Sequence, residues 1–182
     1  MMLSVRKIPA LLFLMLLVSP GVANGQSFEL YASAGPTITD TGNSFAAGVG
    51  VSPTSRLTIG FSFERTHLSS RTSREGNVVS SFRGGTLLLG TAELRFAPFG
   101  RGRFGPFGVV GVAAGVSHPN VNDMFPNRVT NRVGAMFLGG GINVPLGERI
   151  AMFADARMMF GAEGVEGIVA VAPVRAGIAW RF

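Results

Sequence analysis

After residue 26 the chain alternates apolar and polar positions with a period of two, and Gly, Pro, Asn and Ser clusters break the alternation at intervals. That is β-strand spacing, because successive side chains of a strand point to opposite faces; helical spacing is hard to find. Eight strands are predicted, with one apolar face formed by Phe28–Ala34, Phe45–Val51, Leu57–Phe63, Leu88–Phe96, Val110–Val116, Met136–Val144, Ile150–Met158 and Val174–Phe182, each read at alternate positions. The connections at 36–43, 52–56, 66–85, 97–106, 118–132, 145–149 and 161–171 are longer at odd places than at even ones. An outer-membrane barrel has this asymmetry, with long loops outside the cell, short turns in the periplasm, and both termini returned to the periplasm by an even strand number.

The opposite face carries Glu29, Glu64, Glu93 and Asp155 against Arg95, Arg157, Arg175 and Arg181, four acids and four bases. Elsewhere it is mostly small, with Ala46, Gly48, Gly50, Gly111, Ala113, Gly115, Gly139 and Gly141. Two barrels fit such a pattern, a soluble cup with its apolar face inward and a membrane barrel with its apolar face outward. A soluble surface holds about 25–35% charged residues, whereas only 14% of this chain is charged and 26 of its 182 residues are Gly. An eight-stranded barrel has room inside only for its own side chains, so small residues and paired charges suit its interior. The reversed register would turn eight charges toward lipid, at about 2–4 kcal/mol for each arginine near the midplane. The expected fold is therefore an all-β, eight-stranded antiparallel up-and-down transmembrane β-barrel, with the eight charged residues as an interior network.

Residues 1–25 have the three parts of a secretory signal: Arg6 and Lys7, the apolar run from Ile8 to Val18, and the small residues Ala23, Asn24 and Gly25. The run is too short to span a bilayer as a helix, which takes ~20 residues. Cleavage before Gln26 leaves the barrel domain at 26–182. Without the two basic residues of the signal, 14 Arg face 10 acids, a surplus of about +4. That is too sparse for a nucleic-acid footprint. The absence of Cys excludes disulfides, thiolate chemistry and a lipidated Cys, and two His make a multi-His metal site unexpected; no metal and no cofactor are expected.

At the C-terminus Val174, Ala176, Ile178, Trp180 and Phe182 alternate to the last residue. This pattern resembles the C-terminal signal of bacterial outer-membrane barrels, which the barrel-assembly machinery reads. The stretches Ala92-Glu93-Leu94-Arg95-Phe96, Pro106-Phe107-Gly108-Val109-Val110-Gly111-Val112 and Ala154-Asp155-Ala156-Arg157 are similar to strands four, five and seven of the OmpA/OmpX-like superfamily. The resemblance covers the barrel alone, without a peptidoglycan-binding domain. It implies an outer-membrane location, contact with membrane lipids and lipopolysaccharide, and a structural role or an adhesion or ligand-contact role through the loops, more a non-enzymatic barrel than an enzyme.

Phe96, Phe99, Phe104, Phe107, Trp180 and Phe182 are expected to form an aromatic girdle at the periplasmic side. In the second loop Arg71, Arg74 and Arg83, with Glu75, form a cluster that suits lipopolysaccharide phosphates, or is simply solvated. The alternative function rests on His67 and Ser69, two apart and so expected on one strand face, with Glu75 further on. A nucleophile, a base and an acid need that proximity, and the spacing faintly resembles the His-x-Ser arrangement of outer-membrane lipid A deacylases. His118 reads as a loop residue, and Gly139 to Gly141 as a packing device within a strand.

Overall fold

The computed structural model describes residues 27–38, 42–75, 78–82, 84–121, 129–163 and 167–182, with the backbone alone at 71–75, 78–82, 163 and 167–169. Residues 1–25, the expected signal segment, and Arg83 lie outside the described residues. Eleven strands follow in order: β1 (Ser27–Thr37), β2 (Gly42–Ser52), β3 (Leu57–Leu68), β4 (Arg71–Glu75), β5 (Val78–Phe82), β6 (Gly85–Phe96), β7 (Gly105–Pro119), β8 (Asn131–Pro145), β9 (Ile150–Glu163), β10 (Gly167–Val171) and β11 (Val174–Arg181). All pairings are antiparallel, and the ladder runs β1–β2–β3–β6–β7–β8–β9–β11 and back to β1. β10 and β11 form one strand along β9, since Val171 faces Met159 and Val174 faces Ala156 in an unbroken register. The break falls at Pro173, which has no backbone N–H to give the ladder. The result is a closed eight-stranded barrel without a free edge, the one sheet form whose backbone polar groups are all satisfied within lipid.

Three boundaries differ from those the alternation predicts. Residues 66–85 are not one loop, because β3 runs to Leu68 and the hairpin β4–β5 stands in the remainder. Residues 161–171 are largely strand, since β9 and β10 continue pairing as far as Glu163 opposite Gly167. β7 and β8 have 15 residues each, more than the ~9–11 that cross a bilayer, so the strands at the loop end outrun the membrane. Alternation stops reporting on lipid there, and polar strand residues resemble loop.

The alternation sets the faces. Leu30, Phe61, Phe63, Leu94, Val110, Val112, Leu138, Met158, Ile178 and Trp180 are exposed on the outside. Inside, aromatic rings need space, and inward glycines on the neighbouring strand provide it. A Cβ at Gly177 would lie 2.5 Å from Phe153 Cζ, one at Gly111 would lie 2.5 Å from Phe137 Cζ, and one at Gly60 would lie 2.9 Å from Glu93 Cγ. Gly177→Val should therefore lower stability by about 1–3 kcal/mol or more through overpacking, read as the urea midpoint of the folded barrel in detergent. Gly108→Val, at a position with nothing within 4 Å, should leave that midpoint unchanged.

Candidate functional site in the barrel interior

The lumen is the chemically distinctive part of the molecule. Glu29 on β1, Glu64 on β3, Glu93 and Arg95 on β6, Asp155 and Arg157 on β9, and Arg175 on β11 are all buried. They form one chain of alternating sign. Arg95 reaches Glu29 at 3.3 Å and Glu93 at 2.9 Å; Arg157 pairs with Glu93 and, at 2.8 Å, with Asp155; Arg175 reaches Asp155 at 3.1 Å and Glu64 at 2.9 Å. β6 and β9 are not neighbours in the sheet, nor are β11 and β3. The Glu93–Arg157 and Arg175–Glu64 pairs therefore cross the lumen and tie opposite walls together. Ser44 and Thr66 donate to Glu64 Oε1 at 2.9 and 3.0 Å, and Tyr31 donates to Glu93 Oε1 at 3.4 Å.

Aromatic faces complete the environment of the cations. The Arg95 guanidinium lies 5.2 Å from the ring centres of Tyr31 and Phe107 and 5.3 Å from that of Phe153. Arg157 lies 5.1 Å from that of Phe137. A planar, weakly hydrated guanidinium accepts ring faces and carboxylates together, which an ammonium does less well. Phe107 is thus a wall of the arginine cage and not part of an outward girdle: it is 4% exposed, while Phe96, Phe99, Phe104, Trp180 and Phe182 are all exposed. Its place in the alternation of β7, in step with inward Val109 and Ala113, carries the signal that its nearness to the turn conceals.

Arg181 meets Glu29 Oε2 at 3.8 Å and donates to Asn143 Oδ1 at 3.2 Å. Another cation, which no alternation signals, arrives from outside the strands. The turn after β6 folds under the barrel, with Gly100 at φ 86° and its N–H donating to Ala97 O at 3.0 Å. That conformation suits Gly alone. It carries Arg101 up to Glu29 Oε2 at 3.2 Å and to Ser27 Oγ, while Asn143 Nδ2 donates to the Arg101 carbonyl at 2.8 Å. Burial in this corner, only partly offset by Glu29, holds the Arg101 guanidinium below its ordinary pKa.

Toward the loop end an apolar cluster lies beside the buried polar residues Thr37, Ser44, Thr66 and Ser117. Leu68, Leu87, Leu89, Ala113, Val133, Phe137, Met159 and Val171 pack into a buried cluster there. Alternation gives little sign of it, because the inner face it predicts for β7 and β8 is mostly Gly and Ala.

The remaining candidates lie elsewhere. His67 projects from the outer surface at the end of β3, with Nδ1 3.4 Å from Thr86 Oγ1. Ser69 falls just past the last residue of that strand, so the expected shared strand face does not form. Glu75 ends β4, with its Cα opposite Val78, and Arg71 and Arg74 stand opposite Phe82 and Val79. His118 faces outward near the end of β7, across Thr86 from His67 in the register. Val174, Ala176, Ile178, Trp180 and Phe182 all lie on the outward-facing side, with Trp180 stacked on Phe182 at 6.3 Å and Phe182 6.0 Å from Phe28.

A closed antiparallel barrel, apolar outside and ion-paired inside, is a membrane-spanning β-barrel. Solved structures of this class are similar to it: the N-terminal barrel domain of Pseudomonas aeruginosa OprF, at TM-score 0.60 and 13% identity over 86% of this chain and 97% of that one. Ail, the attachment invasion locus protein of Yersinia pestis, solved with the heparin analogue sucrose octasulfate, gives 0.53 and 14% over 88% of this chain and 100% of its own. A major outer membrane protein of Thermus thermophilus gives 0.53 and 12% over 86% and 99%. No family model matches the sequence, and no curated protein does either. The chain has the fold of the small eight-stranded outer-membrane barrels.

Glu93 is the node of the network, shared by Arg95, Arg157 and Tyr31. Glu93→Ala should cost about 3–5 kcal/mol by leaving buried guanidinium charge uncompensated. The measurement is the urea midpoint in detergent, and an unchanged midpoint would show that the pairs contribute nothing.

Proposed function

We propose that the protein resides in the bacterial outer membrane as a non-porin barrel, bracing the envelope and presenting the β4–β5 end to ligands or host surfaces. The observation that carries this reading is the double closure of the lumen. An apolar stopper packs toward the loop end beside buried Thr37, Ser44, Thr66 and Ser117, and salt bridges cross the lumen. Such an interior is the reason to expect no open channel. The exposed apolar surface supports a lipid environment, and the polar residues Arg65, His67, His118 and Arg132 project outward near the strand ends on the loop side. Lipopolysaccharide phosphates suit that fringe and the arginines Arg71, Arg74 and Arg83, since guanidinium and phosphate form short charge-assisted hydrogen bonds. The sulfated ligand solved with Ail offers the same chemistry, and an anionic extracellular ligand is the corresponding choice here. The C-terminal residues from Val174 to Phe182 serve as the recognition segment for barrel assembly. A hydrolytic role at His67 and Ser69 lacks support, because the two do not share a strand face.

Envelope fractionation tests the location. The protein should sediment with outer membranes and shift its gel mobility on boiling; recovery as a soluble periplasmic protein without that shift overturns the reading. Planar-bilayer recording should find no large, stable conductance. Deleting Phe182 should abolish the heat-modifiable form, whereas Ala179→Ser, at an inward and 2% exposed position, should be far milder.

A further inference from the structure

The end of the barrel that carries both termini holds more positive charge than its acids neutralise. Glu29 is shared among three guanidiniums: Oε1 serves Arg95, and Oε2 serves both Arg101 and Arg181. Arg95 has a second carboxylate in Glu93, but among the described residues Arg101 and Arg181 have no acid beyond Glu29 within 4 Å. Their Nε atoms are buried without a hydrogen-bond acceptor, and their side chains are each only 12% exposed. Both line a cavity of about 270 Å³, together with Ser27, Ser55, Glu148, Arg149 and Phe182. Arg149 has no ion-pair partner among the described residues. Three arginines therefore line one cavity with a single acidic side chain, Glu148, while Glu29 is shared by Arg101 and Arg181 outside its lining. Buried donors without acceptors are costly, and a guanidinium binds carboxylate and phosphate oxygens more strongly than it binds water.

We propose that this cavity is an oxyanion-binding site, in which Arg101, Arg149 and Arg181 take one phosphate or carboxylate group presented from the turn side of the membrane. Burial, together with the neighbouring guanidinium of Arg181, holds Arg101 below its ordinary pKa despite Glu29. The volume suits a single headgroup and not an extended polymer. Ser27 and Ser55 add hydroxyls that complement the non-bridging oxygens. The group comes either from a soluble molecule or from a phospholipid headgroup of the same leaflet, and the two share their oxyanion chemistry.

The test uses the folded barrel in zwitterionic detergent, with inorganic phosphate as the probe and chloride at equal ionic strength as the reference. Phosphate should raise the thermal midpoint of the wild type along a saturating curve, as expected for a ligand that binds the folded state alone. Arg149→Ala alters an exposed turn residue and should fold normally, yet should weaken the apparent phosphate affinity at least about tenfold. Arg132→Ala, at the opposite end, should leave it unchanged. General salting-out by phosphate raises the midpoint of every variant equally and without saturation. Equal rises in wild type and Arg149→Ala, or no rise over chloride, overturn the proposal. In bilayers of anionic phospholipid the phosphate effect disappears if headgroups already fill the site and persists if the ligand is soluble; either outcome supports it.

Discussion

A narrow barrel in lipid cannot leave charge alone in its lumen, and the rest of this structure follows from that constraint. Water reaches such an interior poorly, so each carboxylate and guanidinium must find its counter-ion among the side chains of the walls. The answer here is a run in which no like charges are consecutive, Glu29, Arg95, Glu93, Arg157, Asp155, Arg175 and Glu64. Two acid–base pairs, Glu93 with Arg95 and Asp155 with Arg157, come from positions two apart on one strand. Period-two geometry brings them to the same face at no topological cost. Asp155 and Arg175 are cross-strand partners, and the other three links need the barrel to be closed in the right register, which couples closure to neutralisation. A slipped strand would break several pairs together and would also turn charge to lipid.

The same confinement explains why glycine is abundant. Four aromatic rings and several long charged side chains occupy a lumen that eight strands barely open, and the rings need small residues beside them on the adjacent strand. Phe153 lies against Gly177, Phe137 against Gly111, and Phe107 against Gly141. Glycine in a strand sacrifices stability through backbone entropy, but here it admits rings that cage Arg95 and Arg157. Ring faces and carboxylates then share each cation, so that a guanidinium with an incomplete set of acceptors keeps a favourable environment.

Much of this architecture is legible in the residues themselves. The period-two pattern places Glu29, Glu64, Glu93, Arg95, Asp155, Arg157, Arg175 and Arg181 on one face and Leu30, Phe61, Val110 and Trp180 on the other. It is silent on which acid meets which arginine, because pairing across the lumen depends on shear and closure. Arg101 is illegible for a different reason. It sits in a Gly-rich turn with no periodicity, and only the left-handed backbone at Gly100 folds that turn beneath Glu29. Ser69 misleads in the opposite sense: a spacing of two means a shared face only while the strand continues, and β3 ends one residue earlier. Polarity fails as a guide to strand ends here, because the strands rise past the membrane into water, where polar residues pair as well as apolar ones.

The two ends of the lumen are chemically unlike, and the difference follows from how each is sealed. At the loop end inward residues of six different strands meet as an apolar stopper, which needs no partner beyond itself. At the turn end the seal is a segment outside the ladder, held by Arg101 to Glu29, by the Arg101 N–H to Ser55 O at 2.9 Å, and by Asn143 to the turn carbonyls. A polar seal must balance its own charges, and this one brings a fifth interior arginine to four interior acids. The stopper removes water from above the salt-bridge chain and lowers the local dielectric, which strengthens every pair beneath it. It raises the cost of the surplus cation by the same physics, so the imbalance is driven toward the wetter mouth, where Arg101 and Arg181 retain partial exposure.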